Sequence, residues 1–386
     1  MREKISAGEL VRLVQRVFEP RGDDRRLAIL VDLPDEAVPD HPAWRARREM
    51  AAEWAGMLTS HTSDVGIDSV NLVLYRNVRA NNADLPASAV IHRGASLPVT
   101  ADEVHGEAIE LDHVFRTHQI LIALTEFSAT APLKVAARTH MLRAATMPGF
   151  SQEMIPALRL DYARIAARVS ILKKLLDAAE RADFSFEADG RMLHLRLDLR
   201  HRTAHESTGL LRTRGMAGNL PSGEAYIVPY EGELAQDPTL SNGEIPVQFG
   251  DEVVIYTVRE NVAVGVTTEG PASAAEALKL RSEPAYGNLA EFGCGVLADF
   301  GVTPIGEVLL DEKLGLHIAF GRSDHFGGQV GPRNFSSPDK VVHIDRVYIP
   351  TLQPRIRVSR VVLRMANGED VLLMEDGRYA VAFEEK

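Results

Sequence analysis

The chain has 386 residues, 45% of them hydrophobic, with a formal net charge of -11. That length exceeds what one hydrophobic core usually serves, so two domains are expected, and the acidic balance disfavours nucleic acid or an anionic membrane surface as the main partner. One cysteine, Cys294, excludes an intrachain disulfide and a thiolate metal cage; with no signal-like apolar segment and no 18-residue apolar run, the reading is a soluble, cytoplasmic protein.

In chain order, the opening "MREKISAGELVRLVQRVF" mixes charged and apolar residues at helical spacing. Short apolar strands then alternate with helical stretches: "RRLAILVDL" near 25–33, a helix around Trp44 to Leu58, "DSVNLVLYRN" near 68–77, "HQILIALTEFS", and a helix from Pro132 to Ala145. Such alternation predicts a sheet covered by helices on both faces. No GxGxxG turn or Walker loop follows these strands, so nucleotide binding is not indicated. From Met154 to Ala182 the recurrence of Leu158, Tyr162, Ile165, Val169, Leu172 and Leu176 predicts one long helix. After it, alternating strands and an Asn367-Gly368 turn predict hairpins, with one helix near "SAAEALKLRS". The expected architecture is therefore α/β: an N-terminal α/β layered domain over 1–182 and a mainly β domain over 183–386.

Four stretches of the second half place acids or imidazoles where plain structure does not ask for them. In "GNLPSGEAYIVP", Glu224 sits at the mouth of a turn and opens an apolar strand; a solvated strand end is the plain alternative. In "AYGNLAEFGCGVL", Glu291 lies among Ala, Phe, Gly and Cys, company that demands a partner for a buried carboxylate. Cys294 beside it has no adjacent base and reads as a small buried residue. "LLDEKLGLHIAFGRSDHFGGQVGP" carries Asp311, Glu312, His317, Asp324 and His325; taken alone, His317 reads as a satisfied core histidine. In "VVHIDRVYIP", His343 and Asp345 are two positions apart on a strand and so share a face. Together Glu224, Glu291, His317, His343 and Asp345 form an oxygen and nitrogen ligand set suited to Zn, Co or Mn. The set exceeds what one tetrahedral zinc uses, and two ions roughly 3.5 to 4 Å apart account for the surplus.

These elements, in this order, resemble the aminopeptidase T family of metallopeptidases, most clearly over residues 209–348 through "NLPSGE", the Gly-flanked Glu291, "DEK…HIAFG", the Gly-Gly turn and "HID". The resemblance implies two divalent metal ions held by Glu224, Glu291, His317, His343 and Asp345, removal of N-terminal residues from a peptide or aminoacyl substrate, and a homodimer. The family carries a tyrosine shortly after the position of His317; Asp324 or His325 stands there here, and His325 is carried as a sixth candidate ligand. The strand His and Asp also resemble the dihydroxypyridine dioxygenases, which hold one iron and have a histidine where Glu291 stands; glutamate at 291 favours the hydrolase. A degenerate binding protein is the third alternative. For the hydrolase, Glu291 or Glu312 is expected to shuttle the proton and Lys313 to meet the oxyanion, with His201 and His205 structural or in contact with substrate. A serine hydrolase is not indicated, since no GxSxG elbow occurs.

Overall fold

The structure, a computed structural model, describes residues 3–94 and 96–383. The chain divides into two compact units: residues up to Ala163 with Ser207–Ser222, and Arg164–Glu206 with Gly223 onward.

The first unit is built on a seven-stranded sheet. Its strands are β1 (Arg26–Leu33), β2 (Ser69–Arg76), β3 (Ser88–His92), β4 (Ala108–Glu110), β5 (Ile120–Ala123), β6 (Arg143–Thr146) and the later segment Ala217–Asn219. β1 pairs in parallel with β2 and β5, and β5 with β6. β1 is buried along its length after Arg26, which explains its continuous apolar run: a parallel strand covered on both faces has no solvated side on which to alternate. The helix Ala7–Phe18 opens with a capping box in which the Ser6 hydroxyl accepts from the Glu9 amide while the Glu9 carboxylate accepts from that of Ser6. The helix Pro42–Thr59 buries Trp44 and Trp54. Among the described residues, no helix is long and apolar enough to cross a membrane.

The second unit is mainly β. In chain order its strands are β7 (Ala179–Ala188), β8 (Arg191–Asp198) and β9 (His205–Ser207); after Ala217–Asn219, counted as β10, come β11 (Glu224–Ile227), β12 (Asn242–Phe249), β13 (Glu252–Arg259), β14 (Val262–Val266), β15 (Leu289–Gly295), β16 (Leu316–Gly321), β17 (His343–Val347), β18 (Ile356–Met365), β19 (Asp370–Glu375) and β20 (Arg378–Tyr379). An eight-stranded sheet has the order β14-β13-β12-β8-β7-β18-β19-β20, and a five-stranded sheet the order β17-β16-β15-β11-β9. Ring contacts tie one sheet to the other: Phe184 to Phe292 at 5.0 Å, Phe186 to Tyr348 at 5.0 Å and Tyr256 to Phe320 at 5.2 Å. Phe292, Ile318 and Phe320 are therefore core, and the residues alternating with them on β15 and β16 point the other way.

Three expectations change. The helix read over 132–145 is Thr130–His140, and Arg143–Thr146 is instead a buried strand beside β5. The long helix read from Met154 to Ala182 is broken: Ile155–Leu158 is a separate turn, and the helix proper is Tyr162–Ala178. Asp161 accepts from the Ala163 amide at its start, and from Ala179 the chain pairs with β18. In both places Ala-rich sequence reads as helix, and long-range pairing overrides that local preference. The units accordingly do not follow a 182/183 boundary, since Arg164 onward belongs with the second.

In the first unit Arg143 and Asp24 form an ion pair at 2.5 Å with both side chains about 1% exposed, and Arg143 also donates to the Phe18 carbonyl. Asp24 also pairs with Arg214 at 2.9 Å and accepts from the Arg21 amide, so losing Arg143 weakens its compensation without removing it. Arg143→Met should lower the unfolding free energy by about 1–3 kcal/mol in urea titrations.

Candidate metal centre

The face of the five-stranded sheet turned away from the aromatic core carries Glu224 and Tyr226 on β11, Glu291, Gly293 and Gly295 on β15, His317, Ala319 and Gly321 on β16, and His343 and Asp345 on β17. The pairing register interleaves them. Glu224 lies opposite Gly295; Tyr226 opposite Gly293, which lies opposite His317; Glu291 opposite Ala319, which lies opposite Asp345; and Gly321 opposite His343. Each large ligand-type side chain thus has a neighbour with almost none. A Cβ at Gly293 would overlap the His317 ring, and one at Gly295 would overlap the Lys313 backbone. The β15 to β16 register also slips between Leu289 and Glu291. This bulge puts Leu289 opposite core Phe320 while Glu291 lies opposite Ala319 on the ligand face.

Two groups of ligand atoms result, each closing to within 4.8 Å: Glu224, Glu291 and His317, and Glu291, His343 and Asp345. Glu291 belongs to both. Its Oε1 is 3.3 Å from His317 Nε2 and its Oε2 is 3.3 Å from His343 Nε2. Glu224 Oε2 lies 3.6 Å from His317 Nε2, and Asp345 Oδ1 lies 3.6 Å from His343 Nε2.

Each imidazole is set from behind by a carbonyl. His317 Nδ1 donates to Gly315 O at 3.2 Å and His343 Nδ1 to Arg322 O at 2.7 Å. A carbonyl only accepts, so Nδ1 carries a proton in both rings, and Nε2 is the nitrogen that faces the carboxylates. Lys313, itself buried, donates to Glu224 Oε1 at 2.5 Å and to the Glu312 carboxylate. Glu224 Oε2 is left buried without a hydrogen-bond partner.

The electrostatics follow from this crowding. Burial disfavours a charged His317, but the hydrogen bond to Glu291 and the charges of Glu224, Glu291 and Asp345 raise its pKa to about 9. Burial likewise opposes a charged His343, and Asp345 and Glu291 lift it well above the ordinary imidazole value. Burial pushes Glu291 up, yet hydrogen bonds from the two histidines bring it down to about 2. Glu312 is held well above the usual carboxylate range by burial, with Asp345 and Glu224 adding to the effect and Lys313 opposing it.

Divalent cations fit these residues. Ligands at about 2.0 to 2.2 Å from an ion are themselves about 3 to 4 Å apart, close to the separations within each group. Nε2 lone pairs aimed at carboxylates, with Nδ1 spoken for, are what metal-binding histidines present. The unpartnered Glu224 oxygen completes one group. Without an ion, protons on the imidazoles supply the balancing charge.

Of the other expected residues, His325 joins neither group. It packs on Phe326, with ring centroids 3.8 Å apart, and lies edge-on to His343 at 5.4 Å; burial, with His343 and Arg322, lowers its pKa to about 4. It stands in a short helical turn, Asp324–Phe326, that follows β16. Asp324 pairs with Arg322, and Asp311 accepts from the amides of Ile305 and Gly306. His201 pairs with Asp237, while His205 Nε2 bonds the Phe326 carbonyl. Cys294 is buried, and burial raises its thiol pKa. Lys313 is not a free oxyanion donor, because its ammonium is committed to two carboxylates. Sequence reasoning passed over Gly293, Gly295 and Tyr226; Gly293 and Tyr226 follow Glu291 and Glu224 by two residues and Gly295 follows Glu291 by four, the even spacing that puts residues of a strand on one face.

No protein-family model matches the chain, and no curated protein matches it. Solved structures do. A 2,5-dihydroxypyridine dioxygenase from Pseudomonas putida KT2440 matches with a TM-score of 0.61 at 11% identity, over 98% of this chain and 99% of that one. AmpT from Thermus thermophilus, an aminopeptidase, matches with a TM-score of 0.55 at 14% identity, over 97% and 99%. The chain shares their fold. Identities this low carry the architecture alone, so the chemistry has to be argued from the side chains.

Two outcomes test the centre. Gly293→Ala displaces His317 and should weaken uptake by the Glu224 group about 10- to 100-fold in a Co(II) titration, leaving the Glu291–His343–Asp345 group to fill. For the metal-free protein, the raised His317 pKa means a stabilising contribution that is complete below about pH 6.5 and lost as pH rises through about 9. With chelator present the melting temperature should fall across that window, and His317→Gln should flatten the fall.

Proposed function

We propose that the protein is a metal-dependent aminopeptidase that uses two divalent cations, Zn, Co or Mn, to remove N-terminal residues from peptides. The observation that carries this is Glu291, whose two oxygens face the imidazoles of two separate ligand groups. A carboxylate shared in this way is the bridge a two-ion hydrolase needs. The likeness of fold to AmpT supports the choice of peptide substrates.

Glu224, Glu291 and His317 would hold one ion, and Glu291, His343 and Asp345 the other. Bound there, the ions would supply the positive charge that acidifies a water and polarises the scissile carbonyl. Lys313 fixes Glu224 so that Oε2 rather than Oε1 faces the centre. The carbonyls of Gly315 and Arg322 fix the tautomer of each imidazole. Glu312, set between Lys313 and Asp345, is the carboxylate placed to take the proton of the attacking water and deliver it to the departing amine once bound cations replace the protons of the cluster.

An iron-dependent ring-cleaving dioxygenase is the second reading, supported by the fold likeness to the Pseudomonas enzyme. It calls for two histidines and one carboxylate around one ion. Each group here contains one imidazole, which favours the hydrolase.

Metal analysis with assays on aminoacyl amides and oxygen uptake separates the two. The wild type should hold two ions per chain, hydrolyse the amides, lose activity to chelator and consume no oxygen. Glu291→Ala should empty both positions, whereas Asp345→Asn should empty one. One iron with oxygen uptake and no amidase activity would reverse the assignment.

A further inference from the structure

Tyr226 stands on the ligand face of the sheet, and its hydroxyl makes no hydrogen bond to the described residues. It follows Glu224 by two residues on β11, so both side chains leave the strand on the same side. Its cross-strand neighbour is Gly293, and beyond Gly293 lies His317. The His317 ring occupies the space over that glycine, so no side chain separates the tyrosine from the imidazole. The principal charges acting on the phenol are Glu291 and Glu224.

The ring itself is held firmly. His205 stacks on it at 5.2 Å and Phe326 meets it edge-on at 5.0 Å, while His205 is anchored to the Phe326 carbonyl. Only 8% of Tyr226 is exposed. The hydroxyls of Tyr162, Tyr230, Tyr348 and Tyr379 each donate to a carbonyl, whereas that of Tyr226 is not among the buried polar atoms left without a partner and so is the accessible end of an otherwise buried side chain. Among the described residues no hydrogen bond of the Tyr226 hydroxyl occurs. Its surroundings are carboxylates and imidazole nitrogens that would hold cations, and Lys313, the nearby ammonium, is committed to Glu224 and Glu312. The phenol is thus, among the described residues, an uncommitted donor on the ligand face.

We propose that Tyr226 is a further catalytic residue, donating a hydrogen bond to the carbonyl oxygen of the scissile amide as negative charge builds on it. This rests on the aminopeptidase reading. Tyr226→Phe removes the hydroxyl and keeps the ring on His205 and Phe326. On the metal-loaded protein, kcat for an aminoacyl amide should fall about 100- to 1,000-fold with KM within about twofold, in line with the loss of one oxyanion donor. Metal content and melting temperature should stay at wild-type values. A second readout needs no turnover: by calorimetry, affinity for an aminoalkylphosphonate, whose oxygens mimic that charge, should weaken about tenfold, while affinity for the amino-acid amide itself changes by less than about twofold. Unchanged kcat and phosphonate affinity in the variant would overturn the role, as would a metal-loaded wild type that does not bind the phosphonate. If the wild type cleaves no amide yet its phosphonate affinity still depends on the hydroxyl, the reaction class fails and the donor stands.

Discussion

The second unit is organised around one electrostatic difficulty: Glu224, Glu291, Glu312 and Asp345 are gathered away from bulk water. Two carboxylates about 4 Å apart repel by about 4 kcal/mol at an effective dielectric constant near 20. Positive charge has to lie among them, and it comes from Lys313 on one flank and from His317 and His343 at the centre. The cluster is therefore both a liability of the fold and a receptacle for cations. The same residues explain why the two imidazoles, and one carboxyl, that of Glu312, are all driven toward protonation.

Such a cluster needs room and rigidity. Room comes from glycine and alanine at alternate places on the ligand face, which let rings and carboxylates lie across neighbouring strands. Rigidity comes from the opposite face, where Phe292, Ile318 and Phe320 meet the eight-stranded sheet. Every second residue of β15 and β16 serves packing and every other one serves the centre, so ligand positions inherit the precision of a hydrophobic core. Backbone carbonyls behind the imidazoles and the ammonium behind Glu224 finish the alignment.

Much of this was legible from residue order. His343 and Asp345 had to share a face because a strand has period two, and an acid in the company of Glu291 had to have a partner. The α/β and β-rich halves were equally plain from the change in hydrophobic texture. What could not be read was depth and neighbourhood. His325 is of the right type and in the right segment, but it packs against Phe326 and His343 and joins neither ligand group. Lys313 looks like one half of a solvated pair with Glu312 until the fold buries it against Glu224. Arg143–Thr146 and Ala179–Ala182 read as helix because their strand partners are remote in sequence. Tyr226 looked like one more apolar strand residue, since nothing local reports which cross-strand neighbour is a glycine.

The irregularity near Ala290 bears on how such a centre is inherited. Because one extra residue on β15 turns the strand over between Leu289 and Glu291, chemistry and packing exchange sides at a single peptide. Deleting Ala290 would keep every ligand in the polypeptide yet threaten to rotate the shared glutamate into the oily interior and the leucine out of it. The centre is thus written partly as arithmetic, in the number of links along a strand, and a comparison that scores only which amino acids are kept would overlook its loss.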